Sequence, residues 1–420
     1  QDADVKQRVL DIAESTIRES GPGGLISPAL CHILKWEFPF YLGHVEAGLD
    51  RLKEITQGLI EAQEDDGSWR FYPATDRTKT LGQEGDAVLG TCAHSALMLL
   101  KHARVTGSEA SLEAGLKALT FMDDFNIPRG AQAWECPLYE PDILAAAHAV
   151  SAYVDAYEIT GNNRYLRRAE YWAATALPFL YHWNLPDRPG MRFASIPVFG
   201  TTFYTHSWFG VPVQWCGLVF AYYLQHLARH SNRHPWVKIA EGIMISAMYQ
   251  QWTEGELKGT YPDGFYGFCT DGRGPHLNPE DIMVNLYALR GVDADISTAI
   301  IRNTHGRIHL STGAQIESAT HDDSGNLSFK LRYIQHETSY STISGYGSKP
   351  SGLKVEAEEI PVVEELEKAE VGWLYREEKD IIFIKCRHST EEMDFEISPF
   401  YETESPEKIP SVEVVDEEVT

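Results

Sequence analysis

The chain has 420 residues, with 36 basic against 61 acidic side chains and a formal net charge of −25. That balance argues against DNA, RNA or anionic lipid as partners, because phosphate binding needs Lys and Arg in excess. Hydrophobic residues make up 43% and aromatic residues 11%, enough for one large core and one smaller core at this length.

No run of about 18 apolar residues occurs, so no membrane span is expected. The chain begins with Gln1, which reads as a processed or trimmed start. A missing upstream domain and a secreted or periplasmic setting are the matching expectations. The six cysteines, Cys31, Cys92, Cys136, Cys216, Cys269 and Cys386, form no C-x-x-C pair. Zinc-ribbon and thioredoxin chemistry are therefore not expected.

The predicted elements alternate between two kinds of helix. Residues 4–19 form a lone helix, and 29–42 read as a buried helix paired with 44–63. In 44–63, Val45, Leu49, Leu52, Ile55 and Leu59 make one apolar stripe opposite a charged face, the pattern of a helix with one side in water. Residues 84–104, containing AVLGTCAHSALMLL, are apolar nearly all round and predict a buried helix; 108–124 are amphipathic again. The alternation continues through 141–160 with 163–181, 207–229 with 234–252, and a short pair, 279–291 with 293–303. Pro141 suits a first helical turn. Thr106-Gly107 and Thr160-Gly161 occupy matching turns, 54 residues apart, where glycine can end a helix in the left-handed conformation.

Every buried helix is thus entered from a long loop: 20–28, 64–83, 125–140, 182–206 and 253–278. A ring of antiparallel hairpins gathers such loops on one rim. The period changes after about residue 304, where RIHLST, AQIESATHD, NLSFKLRYI, GLKVEA, VGWLYR and DIIFIKCRH read as strands. Asp322 to Asn326 and Glu377 to Asp380 read as hairpin turns. The expected architecture is mainly α: an (α/α) toroid over 1–303, a small β-sandwich over 304–400, and an acidic tail over 401–420. The last seventy residues hold 7 basic and 21 acidic side chains.

The rim loops carry aromatic and acidic residues. The first has Asp65, Asp66, Trp69, Tyr72, Asp76, Arg77, Glu84 and Asp86. The second has Arg129, Gln132, Trp134, Glu135, Tyr139, Glu140 and Asp142. The third has Trp183, Arg188, Arg192, Phe203, Tyr204, His206 and Trp208. The fourth has Tyr261, Asp263, Phe265, Tyr266, Asp271, Arg273, His276 and Asp281. Flat rings stack on the apolar face of a sugar, and carboxylates and guanidinium groups bind its hydroxyls or charges.

A ring of helical hairpins with such a rim, followed by a sandwich, resembles the six-hairpin glycosidase superfamily, whose toroid also serves polysaccharide lyases. VGWLYR and IIFIK, starting at Val371 and Ile381, look like its sandwich strands. About five and a half hairpins are counted here. QEDDGSW, Gln63 to Trp69, also resembles the Q-x-x-x-G-x-W repeat of terpene cyclases, but it occurs once and no D-x-D-D-like motif accompanies it.

The resemblance implies a glycoside hydrolase with two carboxylates flanking the scissile bond. Glu135 is the expected acid, since it follows Trp134 and an aromatic wall raises a carboxyl pKa. Asp142, Glu84 and Asp86 are the candidate partners. The alternatives are plain: Glu135 as a helix cap or partner of Arg129, and Asp142 as an acid serving a helix dipole. Expected sugar contacts are Trp69, Trp134, Arg129, Trp208, Arg192, Tyr261, Asp263, Tyr266 and Arg273.

The runner-up is a lyase, with Tyr204 and His206 removing the proton α to a uronic carboxylate. Phe203 to Trp208 faintly resembles an alginate-lyase segment whose asparagines are absent here. A third reading is a glycan-binding protein without turnover. His94 and His148, inside buried helices, read as core histidines. No metal motif or phosphate loop is present, the spacing from Asp263 to Asp271 is too generic to point to Ca²⁺, and no cofactor is expected.

Overall fold

The computed structural model describes residues 3–26, 31–33, 36–201, 208, 210–267, 272–292, 295–303 and 306–399. The helices, in order, are α1 (Ala3–Ser20), α2 (Phe38–Leu42), α3 (Val45–Glu61), α4 (Leu89–Thr106), α5 (Glu109–Met122), α6 (Ile143–Thr160), α7 (Asn163–Ala176), α8 (Gln214–Ala228), α9 (Trp236–Gln250) and α10 (Glu280–Leu289). Two short strands, β1 (Tyr261–Pro262) and β2 (His276–Leu277), pair antiparallel between α9 and α10.

The architecture is an (α/α) toroid with a C-terminal β-sandwich. α4, α6, α8 and α10 stand side by side as the inner layer, with α5, α7 and α9 packed outside them. The two classes of helix follow from sequence. α6 is buried almost throughout, and Ala145, Ala146, Ala149, Ala152 and Ala156 let its neighbours approach closely. α7 buries a single stripe, Ala169, Trp172, Ala173 and Ala176. Gly107 at φ 70° and Gly161 at φ 71° end α4 and α6 in the left-handed conformation, as the Thr-Gly turns require.

Several helix ends differ from expectation, each for a local reason. α8 starts at Gln214 rather than 207, because Pro212 disfavours helical backbone in the residue before it. α7 stops at Ala176, and Pro178 lies in the 3₁₀ turn that follows. Asp142 is the N-cap of α6, so Pro141 lies outside the helix rather than in its first turn.

Two expected helices are not helices. Residues 293–303 contain Ser297–Asn303, which is a strand, β3, paired with the next strand along its length. Gly291, at φ 75°, follows the end of α10, and the β-branched run Thr298, Ile300 and Ile301 suits a sheet. In 29–42, only Phe38–Leu42 is helical among the described residues. The segment around His32 and Trp36 stands where an inner helix was expected. It meets α10 through His32 and Asp281, and α4 through Glu37 and Lys101. Among the described residues, three complete hairpins (α4 with α5, α6 with α7, α8 with α9) replace the count of five and a half.

The remaining strands are β4 (Gly306–Thr312), β5 (Gln315–His321), β6 (Leu327–Arg332), β7 (Thr338–Ser344), β8 (Pro350–Val355), β9 (Glu358–Glu359), β10 (Gly372–Arg376), β11 (Ile381–Arg387) and β12 (Glu392–Pro399). They form two antiparallel sheets, ordered β10-β11-β7-β4-β3 and β5-β6-β12-β8-β9. Leu310, Ile343, Ile382, Ile384, Leu331, Phe329, Phe395 and Ile397 fill the space between them. The Asp322 carboxylate accepts from the Ser324 and Asn326 amides in the β5–β6 turn, and Asp380 takes a left-handed conformation before β11. Both expected hairpin turns are therefore present. The acidic tail, 401–420, lies outside the described residues.

The sandwich closes one end of the toroid. His309 Nδ1 lies 2.6 Å from the Arg104 carbonyl, and Ser311 donates to that of Val105 at 3.1 Å. Arg302 donates to the Glu158 and Ile159 carbonyls at 2.7 and 3.1 Å. These are last-turn carbonyls of α4 and α6, which lack partners within their own helices. The long loops gather at the other end, where the inner helices begin.

Candidate functional site

The four long loops meet at the N-terminal ends of α4, α6, α8 and α10. They are stitched by backbone hydrogen bonds: Leu138 to Leu81 at 2.7 Å, Ile143 to Pro197 at 3.1 Å, Val213 to Ser195 at 2.9 Å and Phe265 to Pro212 at 2.9 Å. Gly90, in the first turn of α4, donates to the Arg129 carbonyl at 2.7 Å. A Cβ there would lie 2.2 Å from the Ala131 amide nitrogen, so glycine permits the loop bearing Glu135 to lie directly on α4.

Three carboxylates converge on this end. Glu135 is half-buried; burial raises its pKa, and the charge of Asp263 raises it further. Asp263 follows β1. Burial raises it too, while Trp215 and His32 pull it back down. Trp215, in the first turn of α8, donates its indole N–H to Asp263 Oδ1 at 3.0 Å. Asp142 is buried, and desolvation pushes its pKa to about 6 against the pull of its hydrogen bonds. The buried Cys216 thiol is raised well above its usual value by burial and then by the surrounding charges, Asp142, Asp263 and Glu135 among them. The charges of all three acids are thus felt at Cys216 on α8.

Their environments differ. Asp142 Oδ1 accepts from the Leu144 and Ala145 amides at 2.7 and 3.3 Å and from Gln132 Nε2 at 3.1 Å; Oδ2 accepts from the Gln132 amide at 2.9 Å. Four donors occupy it, which is the arrangement of an N-cap that also pins a loop. Glu84 is exposed. Asp86 accepts from the Tyr139 hydroxyl, and Glu140 grips the Thr201 amide with both oxygens at 3.0 and 2.9 Å. Asp263 stands closest in charge to Glu135. From sequence alone it reads as a sugar contact rather than as the acid's partner.

The aromatic candidates divide. Trp134, beside Glu135, is 52% exposed and offers a flat face. Trp69 is 8% exposed and donates its indole to the Leu59 carbonyl at 3.0 Å, so it packs in the core. Trp208 is 9% exposed and lies against Gly264. Tyr261 is fully buried and donates to Asp281 at 3.0 Å, while Tyr266 is half-buried near Asp263.

Among the arginines, Arg129 is half-buried. Arg192 is exposed over the Phe193 ring at 4.9 Å, and Arg273 over the Trp252 ring at 5.0 Å. Tyr204 and His206 lie outside the described residues.

Two residues expected in the core line the lumen instead. His94 is exposed and His148 half-buried, with ring centroids 5.0 Å apart, edge to face. They border a cavity of about 30 Å³ together with His32, Lys101, Arg104, Asp155, Tyr223 and Asp295. An inner helix of a toroid has a wet fourth side, and apolar periodicity alone cannot reveal it. His32 went unnoticed because its segment reads as helix. Its partner, Asp281, is 249 residues away, and no local pattern carries that separation. Among the described residues, no group of three or more His, Cys, Asp or Glu side chains is arranged to hold a metal ion, and no helix is long and apolar enough to cross a membrane.

No protein-family model and no curated protein matches this sequence. Solved structures similar to it include three glycan-processing proteins. An unsaturated glucuronyl hydrolase from Bacillus sp. GL1 is 13% identical over 68% of this chain and 80% of that one, with a TM-score of 0.43. A glycoside hydrolase family 76 mannosidase from Bacteroides thetaiotaomicron is 11% identical over 58% and 66%, with a TM-score of 0.40. A cellobiose 2-epimerase from Bacillus thermoamylovorans is 12% identical over 52% and 60%, with a TM-score of 0.37. At such values the description of the toroid rests on the chain's own helices and strands.

Proposed function

We propose that the protein is a glycoside hydrolase whose reaction takes place at the loop-bearing end of the toroid, with Glu135 as general acid and Asp263 as its carboxylate partner. The observation that carries this reading is a pair of desolvated carboxyls in each other's field with unequal surroundings, only one of which is given an N–H donor among the described residues. Glu135 is half-buried; burial raises its pKa and the nearby charge of Asp263 raises it further. Burial raises Asp263 as well, and the Trp215 N–H and His32 oppose that rise. Glycoside hydrolysis needs a division of roles: a protonated carboxyl to protonate the leaving oxygen, and a carboxylate to activate water or attack the anomeric carbon. Trp134 supplies a platform for a sugar ring beside the acid. Asp142 serves as the cap that holds the Glu135 loop, and Glu84 is left without a part in the reaction.

The test is a pair of isosteric substitutions. Glu135→Gln and Asp263→Asn should each lower kcat by about 10²- to 10⁴-fold, the usual worth of a positioned acid or base, while glycan binding persists. Retention of most of the activity in both variants would contradict the assignment.

A further inference from the structure

We propose that His32, oriented by Asp281, is a further active-site residue that binds a sugar hydroxyl through Nε2 beside Asp263; this rests on the glycoside hydrolase reading. Asp281 Oδ2 lies 2.7 Å from His32 Nδ1. The same carboxylate accepts from the His32 amide at 3.2 Å, the Cys31 thiol at 3.1 Å and the Tyr261 hydroxyl at 3.0 Å. Asp281 is 3% exposed, so those donors fix its orientation. An imidazole beside such a carboxylate carries its proton on Nδ1, and the partner of one ring nitrogen sets the role of the other.

Nε2 has no hydrogen-bond partner among the described residues, and the His32 side chain is 41% exposed. The ring borders the lumen cavity with His94 and His148. It lies flat on Trp215, centroids 4.3 Å apart and planes at 19°. Trp215 is also the donor to Asp263, so one indole fixes the imidazole and the carboxylate relative to each other. A histidine that served packing alone would have both nitrogens satisfied or buried. Here one is anchored and the other is left without a partner among the described residues, on a side chain that is 41% exposed. Neutral, Nε2 accepts from a sugar hydroxyl; protonated, it donates to one, with Asp281 balancing the charge. The groups around it are Asp281 from α10, Asp263 after β1, and His94 and Lys101 from α4 and His148 from α6, which line the same cavity.

The experiment compares wild type with His32→Ala and Asp281→Asn in the full chain, after circular dichroism has shown that each is folded. Substrates are cellotetraose, mannotetraose, xylotetraose and an oligogalacturonate. Loss of a charge-assisted hydrogen bond predicts that His32→Ala lowers kcat/KM about 10- to 100-fold. Asp281→Asn should leave the imidazole in place and should move the acidic limb of the pH–rate profile, which a packing role would not do. Nitrogen NMR of the imidazole should show an Nδ1–H in wild type that is lost in Asp281→Asn, and a shift of Nε2 when a hydrolysed sugar is added. Turnover by His32→Ala within twofold of wild type overturns the proposal and leaves the hydrolase reading intact. Absence of binding and turnover on every glycan overturns the hydrolase reading and this proposal with it.

Discussion

Glu135 and Asp263 are both raised, and their neighbours rather than residue type distinguish them. Both are desolvated, which raises both, but only Asp263 has an N–H donor and a nearby histidine to favour its charge. The sign of the pH dependence follows. Activity should fall as pH drops through the Asp263 pKa, because the partner must be ionised, and should fall again as pH rises through the Glu135 pKa, because the acid must keep its proton. A pH–rate profile of kcat/KM checks this: Glu135→Gln should lack the basic limb in its residual activity, and an unchanged limb would assign that titration to another group. At this scale the sequence was partly legible. Trp134-Glu135 and Tyr261 to Tyr266 could be placed on rim loops because helix periodicity stopped around them. The pairing of Glu135 with Asp263 depends on two loops meeting in space, and Trp69 was misjudged because a tryptophan in a loop looks the same whether it faces a sugar or the Leu59 carbonyl.

Helices α4 and α6 were legible in kind, as apolar segments ended by Thr-Gly, because burial on several sides removes any polar stripe. Their starts were less so, since a long loop and a first helical turn share the same residue types. Asp142 shows why the start matters: it caps α6 and simultaneously binds the Gln132 amide and side chain of the Glu135 loop. Asp142→Ala should therefore cost about 2–3 kcal/mol of stability, combining a lost cap with Gln132 donors left buried and unpaired. It should also loosen Glu135. Urea unfolding with a parallel rate assay measures both; a loss below about 0.5 kcal/mol would mean that other groups hold the loop. The opposite error, a helix expected at 293–303, came from reading a short apolar run by its neighbours' period, where the ladder with β4 decided the outcome.

At the scale of the whole molecule, the sandwich covers the end of the toroid where α4 and α6 finish. Beneath the histidines lies a buried charge cluster: Lys101 with Glu37 and, at 3.0 Å, Asp295; Arg104 with Asp155 at 3.2 Å and Glu158 at 3.0 Å. Burial works against the charge on every member, and the opposite charges offset it: Glu158 is driven to about 2, while Asp155 stays raised at about 7. Cutting one partner out leaves the rest buried without compensation. Lys101→Met should thus destabilise the fold by about 3–5 kcal/mol, measured by urea unfolding, and a change under about 1 kcal/mol would show that water reaches the cluster. The two-part architecture was visible in the switch from helical to alternating pattern. The manner of sealing was not, because His309 and Arg302 bind backbone carbonyls that any sequence would offer.

The central claim is that this lumen cleaves glycosidic bonds by adding water. The most direct test is to incubate the protein and its Glu135→Gln variant with neutral and uronic-acid glycans, reading reducing ends and near-ultraviolet absorbance in the same wells. A hydrolase should release reducing ends without new absorbance, and the variant should not. Absorbance rising in step with reducing ends would mean β-elimination and would contradict hydrolysis.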